Sequence, residues 1–158
     1  SKDLDPTDFT TDAFMAFYQG RSLINNAEGE LTQEQLIELG TYRDVAVAAW
    51  EGALAATAVH YINDTLGDMD KFGTDEYSVL THAKHWSELK GFALAFQFNP
   101  RSPMADNDFA TLHGLIGDAP VLPDADDDEI AAYREDLLAA RDLMRDAYGF
   151  SDANAAGW

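Results

Sequence analysis

A helix-capping signature followed by a long run of helical periodicity constrains this chain more than any other feature. Thr32-Gln33-Glu34-Gln35 has the form in which a threonine caps a helix and a glutamine three residues on reaches back. The stretch it opens predicts a helix reaching about Leu66, with an interruption at Gly40 left open. Within it Val47, Trp50, Leu54, Ala58 and Tyr61 recur at helical spacing, while Ala46, Ala49, Ala53 and Ala56 form a second, smoother stripe. Two apolar faces predict a central helix with neighbours on two sides. The alanine side admits a partner at the short end of the ~8–10 Å interaxial range.

The remaining punctuation predicts more helices and no strand. One runs from about Thr11 to Asn25 with Phe14, Phe17, Tyr18 and Leu23 as apolar anchors, and ends in an Asn-Asn-Ala-Glu-Gly turn. A third runs from about Asp75 to Phe96, before Asn99-Pro100. A shorter one spans Asp106 to Ile116, and the last runs from about Asp126 to Tyr148 with Ile130, Tyr133, Leu137, Ala140 and Met144 inward and Gly149 as its stop. The expectation is an all-α fold, a helical bundle of about five helices forming a single domain over residues 1–158.

Charge and composition exclude several functions. The chain carries 29 acidic and 10 basic residues, a net charge of −19, and such a field repels phosphate backbones; a nucleic-acid partner is not expected. At 46% apolar it is too hydrophobic for a disordered acidic tail. Its longest apolar stretches are interrupted by Glu, His, Gly or Lys, so no transmembrane segment is expected. Cysteine is absent, which removes disulfides, thiolate metal sites and Cys nucleophiles. Asp occurs 20 times against 4 Lys, a surface that stays hydrated in brine and points to a marine, halophilic or secreted origin.

The densest polar cluster is Thr81-His82-Ala83-Lys84-His85-Trp86-Ser87-Glu88. His82, His85 and Glu88 step by three, a spacing that brings Cβ atoms ~5–6 Å apart on a helix. Imidazole and carboxylate together suit iron or zinc. His85 precedes Leu89, and Glu88 precedes Phe92, by four residues, so both share the apolar face and need partners there. Two groups do not complete a coordination shell. Glu51, His60 and His113 are the candidates to complete it, and a purely structural His–Glu pair is the alternative. A third reading makes Glu88 the general base of a metallopeptidase. Asp124, Asp126, Asp128 and Glu135 fall at calcium-loop positions, but Glu129 stands where that loop requires glycine, so calcium is not expected.

Three blocks carry a family resemblance: Phe17-Tyr18-Gln19-Gly20-Arg21-Ser22-Leu23-Ile24-Asn25, Trp50-Glu51 leading to Val59-His60-Tyr61-Ile62-Asn63, and His85-Trp86-Ser87-Glu88-Leu89-Lys90-Gly91-Phe92-Ala93-Leu94. Together they resemble the DUF4856 family, itself similar to imelysin-like bacterial envelope proteins with an H-x-x-E motif. The motif here would be His85-Trp86-Ser87-Glu88. The resemblance implies an imelysin-like bundle of which this chain is the C-terminal part, with a missing N-terminal part or another envelope protein as partner. It also implies a periplasmic or outer-membrane-associated, often lipoprotein, location, a bound metal, and a link to iron acquisition. His85 and Glu88 would be the ligands, with His82, Glu51 or His60 as completers. The other expected function is a non-catalytic helical binding or scaffold module.

Overall fold

The computed structural model describes residues 3–158. The order is α1 (Phe9–Asn25), α2 (Gln33–Met69), α3 (Val79–Ala93) running into a short 3-10 helix (Leu94–Phe98), α4 (Asp106–Ile116), α5 (Asp127–Tyr148) and α6 (Asp152–Gly157). Helices are the only regular elements among the described residues, as the periodicity predicts. The capping box forms as read: the Gln35 amide donates to Thr32 Oγ1 at 3.3 Å and the Thr32 amide to Gln35 Oε1 at 2.9 Å. α2 passes through Gly40 without a break and continues three residues beyond Leu66. The third helix starts later than its sequence suggests, because Ser78 caps it by accepting from the Thr81 amide. α6 escaped the sequence reading, being a single short turn.

The chain divides into two compact units, one gathering residues 3–5 with Leu54–Trp158 and the other being Pro6–Ala53. α2 contributes to both.

The larger unit holds the main core. Val59 and Ile62 of α2, Leu89 of α3, Leu112 and Ile116 of α4, and Leu137, Ala140 and Met144 of α5 are fully buried. α5 thus buries the stripe its sequence marks. Polar groups close the edges of this core. The Trp86 indole donates to Tyr133 Oη at 3.0 Å, and the Tyr133 hydroxyl donates to the Ile116 carbonyl at 2.9 Å. Burial pushes the Tyr133 hydroxyl up to about 12. Asn154 of α6 accepts from the amides of Leu4 and Asp5 at 2.8 and 2.9 Å, tying the chain's start to its end. Gly149 closes α5 in the left-handed conformation, φ 66°, where a side chain is disfavoured.

The smaller unit is a helical hairpin. Gly20 of α1 lies against Leu39 and Tyr42 of α2, while Gly52 lies against Phe9, so the helices run antiparallel. A Cβ on Gly52 would come within 2.7 Å of the Phe9 ring, so only glycine admits that ring here. The buried residues of the seam are small: Ala16, Gly20, Ala46, Ala49 and Gly52. Sequence expectation is corrected here. Phe14, Phe17 and Tyr18 are exposed rather than anchoring, and Trp50 is 64% exposed, so the first half of α2 is not covered on both faces. The most apolar 18-residue window of α2 has mean hydropathy 1.3, so by length and composition this helix could span a bilayer, as core helices of other folds also could.

The helix phase of α5 is open to direct test. Leu137→Ala, at a fully buried position, is expected to lower the unfolding free energy by ~2–5 kcal/mol, whereas Leu138→Ala, at 39% exposure, should cost under ~1 kcal/mol. Chemical denaturation of both variants measures this, and equal losses would contradict the packing.

Candidate functional sites: a histidine–aspartate network and an apolar trough

His60, Asp64 and Asp68 recur every four residues on α2 and so lie along one face of it. That face meets α3 through His85. His85 Nδ1 lies 2.7 Å from Asp68 Oδ2, and its Nε2 lies 3.8 Å from Asp64 Oδ2. His60 Nε2 approaches the same Asp64 oxygen at 3.2 Å. Asp68 has a side chain only 4% exposed, and Lys71 Nζ at 3.1 Å is its second partner. A buried carboxylate is costly without such compensation, and here an imidazole and an ammonium supply it.

Glu88, the other half of the H-x-x-E motif, does not pair with His85. The Tyr61 hydroxyl donates to it, and this bond is the main reason that hydroxyl is held above the ordinary tyrosine range. Lys84 Nζ stands 3.8 Å from Glu88 Oε2, an ion-pair separation too long for a hydrogen bond. The expected His85–Glu88 unit is therefore two units: His85 with Asp68, and Glu88 with Tyr61.

His82 is fully buried, with Nδ1 3.2 Å from the Tyr77 hydroxyl and Nε2 without a hydrogen-bond partner among the described residues. Burial pushes its pKa down, Asp68 opposes that shift and His85 adds to it. Phe72 and Tyr77 flank the ring at 5.5 and 5.9 Å between centroids, so it behaves as a core side chain. His113 is likewise held low, chiefly by burial, and rests on Phe109 with ring centroids 4.4 Å apart. Glu51 is buried in the hairpin unit, whereas the other five candidates belong to the larger one.

The structure thus brings His60 and His85 together at Asp64, and does not join His82, Glu88 or Glu51 to them. Among the described residues, no three His, Asp or Glu side chains are arranged to hold a metal ion. The candidate donors do not gather into one shell for iron or zinc: His85 pairs with Asp68 and His60 with Asp64, while His60 Nδ1, His82 Nε2 and Glu88 Oε2 have no hydrogen-bond partner among the described residues. Asp126, in the calcium-like acidic run, instead caps α5 by accepting from the Glu129 amide at 2.8 Å. Asp64 and Asp68 escape the sequence reading, although their places four and eight residues after His60 are a usable signal.

The second site lies wholly within the hairpin unit. An open trough of about 500 Å³ runs between α1 and α2, floored by Ala16, Gly20 and Ala46 and walled by Phe17, Ile24, Leu39, Tyr42, Val47 and Trp50, with Arg21 and Arg43 along it. Small residues let the two backbones approach closely, and the large side chains then stand outward as walls. Phe17 and Trp50 are 63% and 64% exposed, an unusual investment of aromatic surface in water.

No family model matches the chain, and neither a curated protein nor a solved structure is detectably similar to it.

Two outcomes test the network. Asp68→Ala removes the buried partner of His85 and Lys71 and is expected to cost about 3 kcal/mol of stability, against under ~1 kcal/mol for Glu88→Ala. The reverse order in denaturant titrations would restore the H-x-x-E pairing. For His82, the unfolded state takes up a proton near the ordinary ~6.5 while the folded state resists to lower pH. The unfolded state therefore binds more protons in that interval, and stability falls as pH drops below ~6.5. His82→Asn should weaken the fall; parallel curves for the two proteins would contradict it.

Proposed function

We propose that this chain is a helical binding module rather than a catalyst, and that it docks its partner on the trough of the α1–α2 hairpin. One observation carries the reading: a trough of about 500 Å³, almost wholly apolar, left open to solvent by a hairpin whose largest side chains form its rims. Two helices alone cannot bury an apolar face, and stable helical layers close by adding another element. An exposed patch of this kind marks an interaction surface. The volume also falls within the ~300–1,000 Å³ range of ordinary binding clefts.

The His60–Asp64–His85–Asp68 network supports the same reading as a structural tie between α2 and α3 within the larger unit. Its groups are engaged with one another, His85 with Asp68 and both His60 and His85 with Asp64. Iron binding rests on the His82, His85 and Glu88 spacing and on the H-x-x-E resemblance, and Glu88 does not pair with His85. The same resemblance directs the search for a partner to the bacterial cell envelope.

An environment-sensitive apolar dye tests the reading. The native protein should bind about one dye per chain, and a Val47→Glu, Trp50→Ser variant should lose at least ~10-fold in affinity while its near-ultraviolet dichroism shows an intact fold, since both positions are at least partly exposed. Undiminished dye binding in the folded variant would overturn it.

A further inference from the structure

The hairpin contains only two basic residues between Pro6 and Ala53, Arg21 and Arg43, and both line the trough. In a chain of net charge −19, the trough's lining carries these two guanidinium groups and no Asp or Glu. Arg43 is engaged with its neighbour Asp44 at 2.8 Å, an exposed pair of little strength. Arg21 has no carboxylate partner and no hydrogen bond among the described residues. An apolar channel bordered by guanidinium groups is complementary to an apolar ligand with carboxylates along its edge.

The trough also has a length. Its α1 wall runs from Ala16 to Ile24 and its α2 wall from Leu39 to Trp50, which at ~1.5 Å rise per residue gives roughly 12 and 16 Å. That matches about three turns of a third helix. Both walls repeat at helical spacing, so they offer ridges that a helix of i, i+3, i+4, i+7 anchors can enter. A short hydrocarbon chain would fill the floor but would leave Phe17 and Trp50 largely wet. A second copy of this chain would bring Arg21 and Arg43 against a like face and add −19 to −19.

Resting on the docking reading above, we infer that the occupant is an amphipathic α-helix of about three turns from a partner protein, with leucine-type anchors in the trough and Asp or Glu along its flank facing Arg21 and Arg43. The guanidinium groups orient the helix and reject basic ones, while Phe17 and Trp50 bury its apolar face.

The test uses the full chain and three fluorescent four-turn helical peptides with identical leucine stripes, flanked by Glu, Gln or Lys. At low salt the Glu peptide should bind at least ~10-fold tighter than the Lys peptide, with the gap narrowing as salt is added. An Arg21→Glu, Arg43→Glu variant should reverse the order, while Trp50→Ala should weaken all three. Equal binding of the three peptides, lost in Trp50→Ala, would overturn the acidic helix and leave the docking reading standing. Binding of laurate with no peptide bound would replace the helix by a small amphiphile. Dimerisation abolished by Trp50→Ala would replace it by a second copy. No peptide, laurate or dye bound by the folded monomer would remove the inference and the docking reading together.

Discussion

Close approach along a seam of small residues determines what the hairpin can bury. Gly20 of α1 lies against Leu39 and Tyr42 of α2, and Gly52 of α2 lies against Phe9, where a Cβ would come within 2.7 Å of the ring; Ala16, Ala46 and Ala49 are the other small buried residues of the pair. A seam of this kind buries little apolar area, and burial contributes roughly 25 cal/mol per Å². Bulk that would normally fill an interhelical core stands on the rims instead. The same geometry that makes the hairpin tight also leaves Phe17 and Trp50 in water and opens the trough. The exposed aromatic surface and the thin core of this unit are thus two results of one packing choice.

The larger unit solves its problem differently. Its helices surround a continuous core from Val59 to Met144, and polar side chains finish its edges: Trp86 and Tyr133 on the last carbonyl of α4, Asn154 on the first residues described. Within it the buried Asp68 carboxylate must be compensated, and His85 and Lys71 compensate it. His85 is drawn to that carboxylate rather than to Glu88, because Asp68 is almost wholly removed from water and Glu88 retains both solvent and a tyrosine hydroxyl. A one-turn spacing within a single helix is a weaker organiser than a buried charge on the neighbouring helix.

Much of the architecture was legible in the sequence. Thr32 and Gln35 announced the start of α2, Gly149 the end of α5, and the Tyr133–Leu137–Ala140–Met144 stripe its buried face. Each of these depends on interactions within one or two turns. The site was less legible. His85 was read as turned inward, and its imidazole does lie against a buried group, but the partner sits seventeen residues back on another helix. Periodicity marks a face as apolar without saying whether anything covers it. Phe14, Phe17 and Trp50 therefore carried the signature of core residues while standing in solvent. The one local clue was the alanine and glycine stripe, which permits a close helix pair and so displaces the larger side chains outward.

Amide hydrogen exchange tests most directly whether the hairpin is an incomplete helical layer. On this account the amides of α1 open at lower free energy than those of α5, and a Glu-flanked helical peptide slows exchange in α1 and the first half of α2 alone. Protection in α1 that already equals that of α5, and does not change when the peptide is added, would contradict the account.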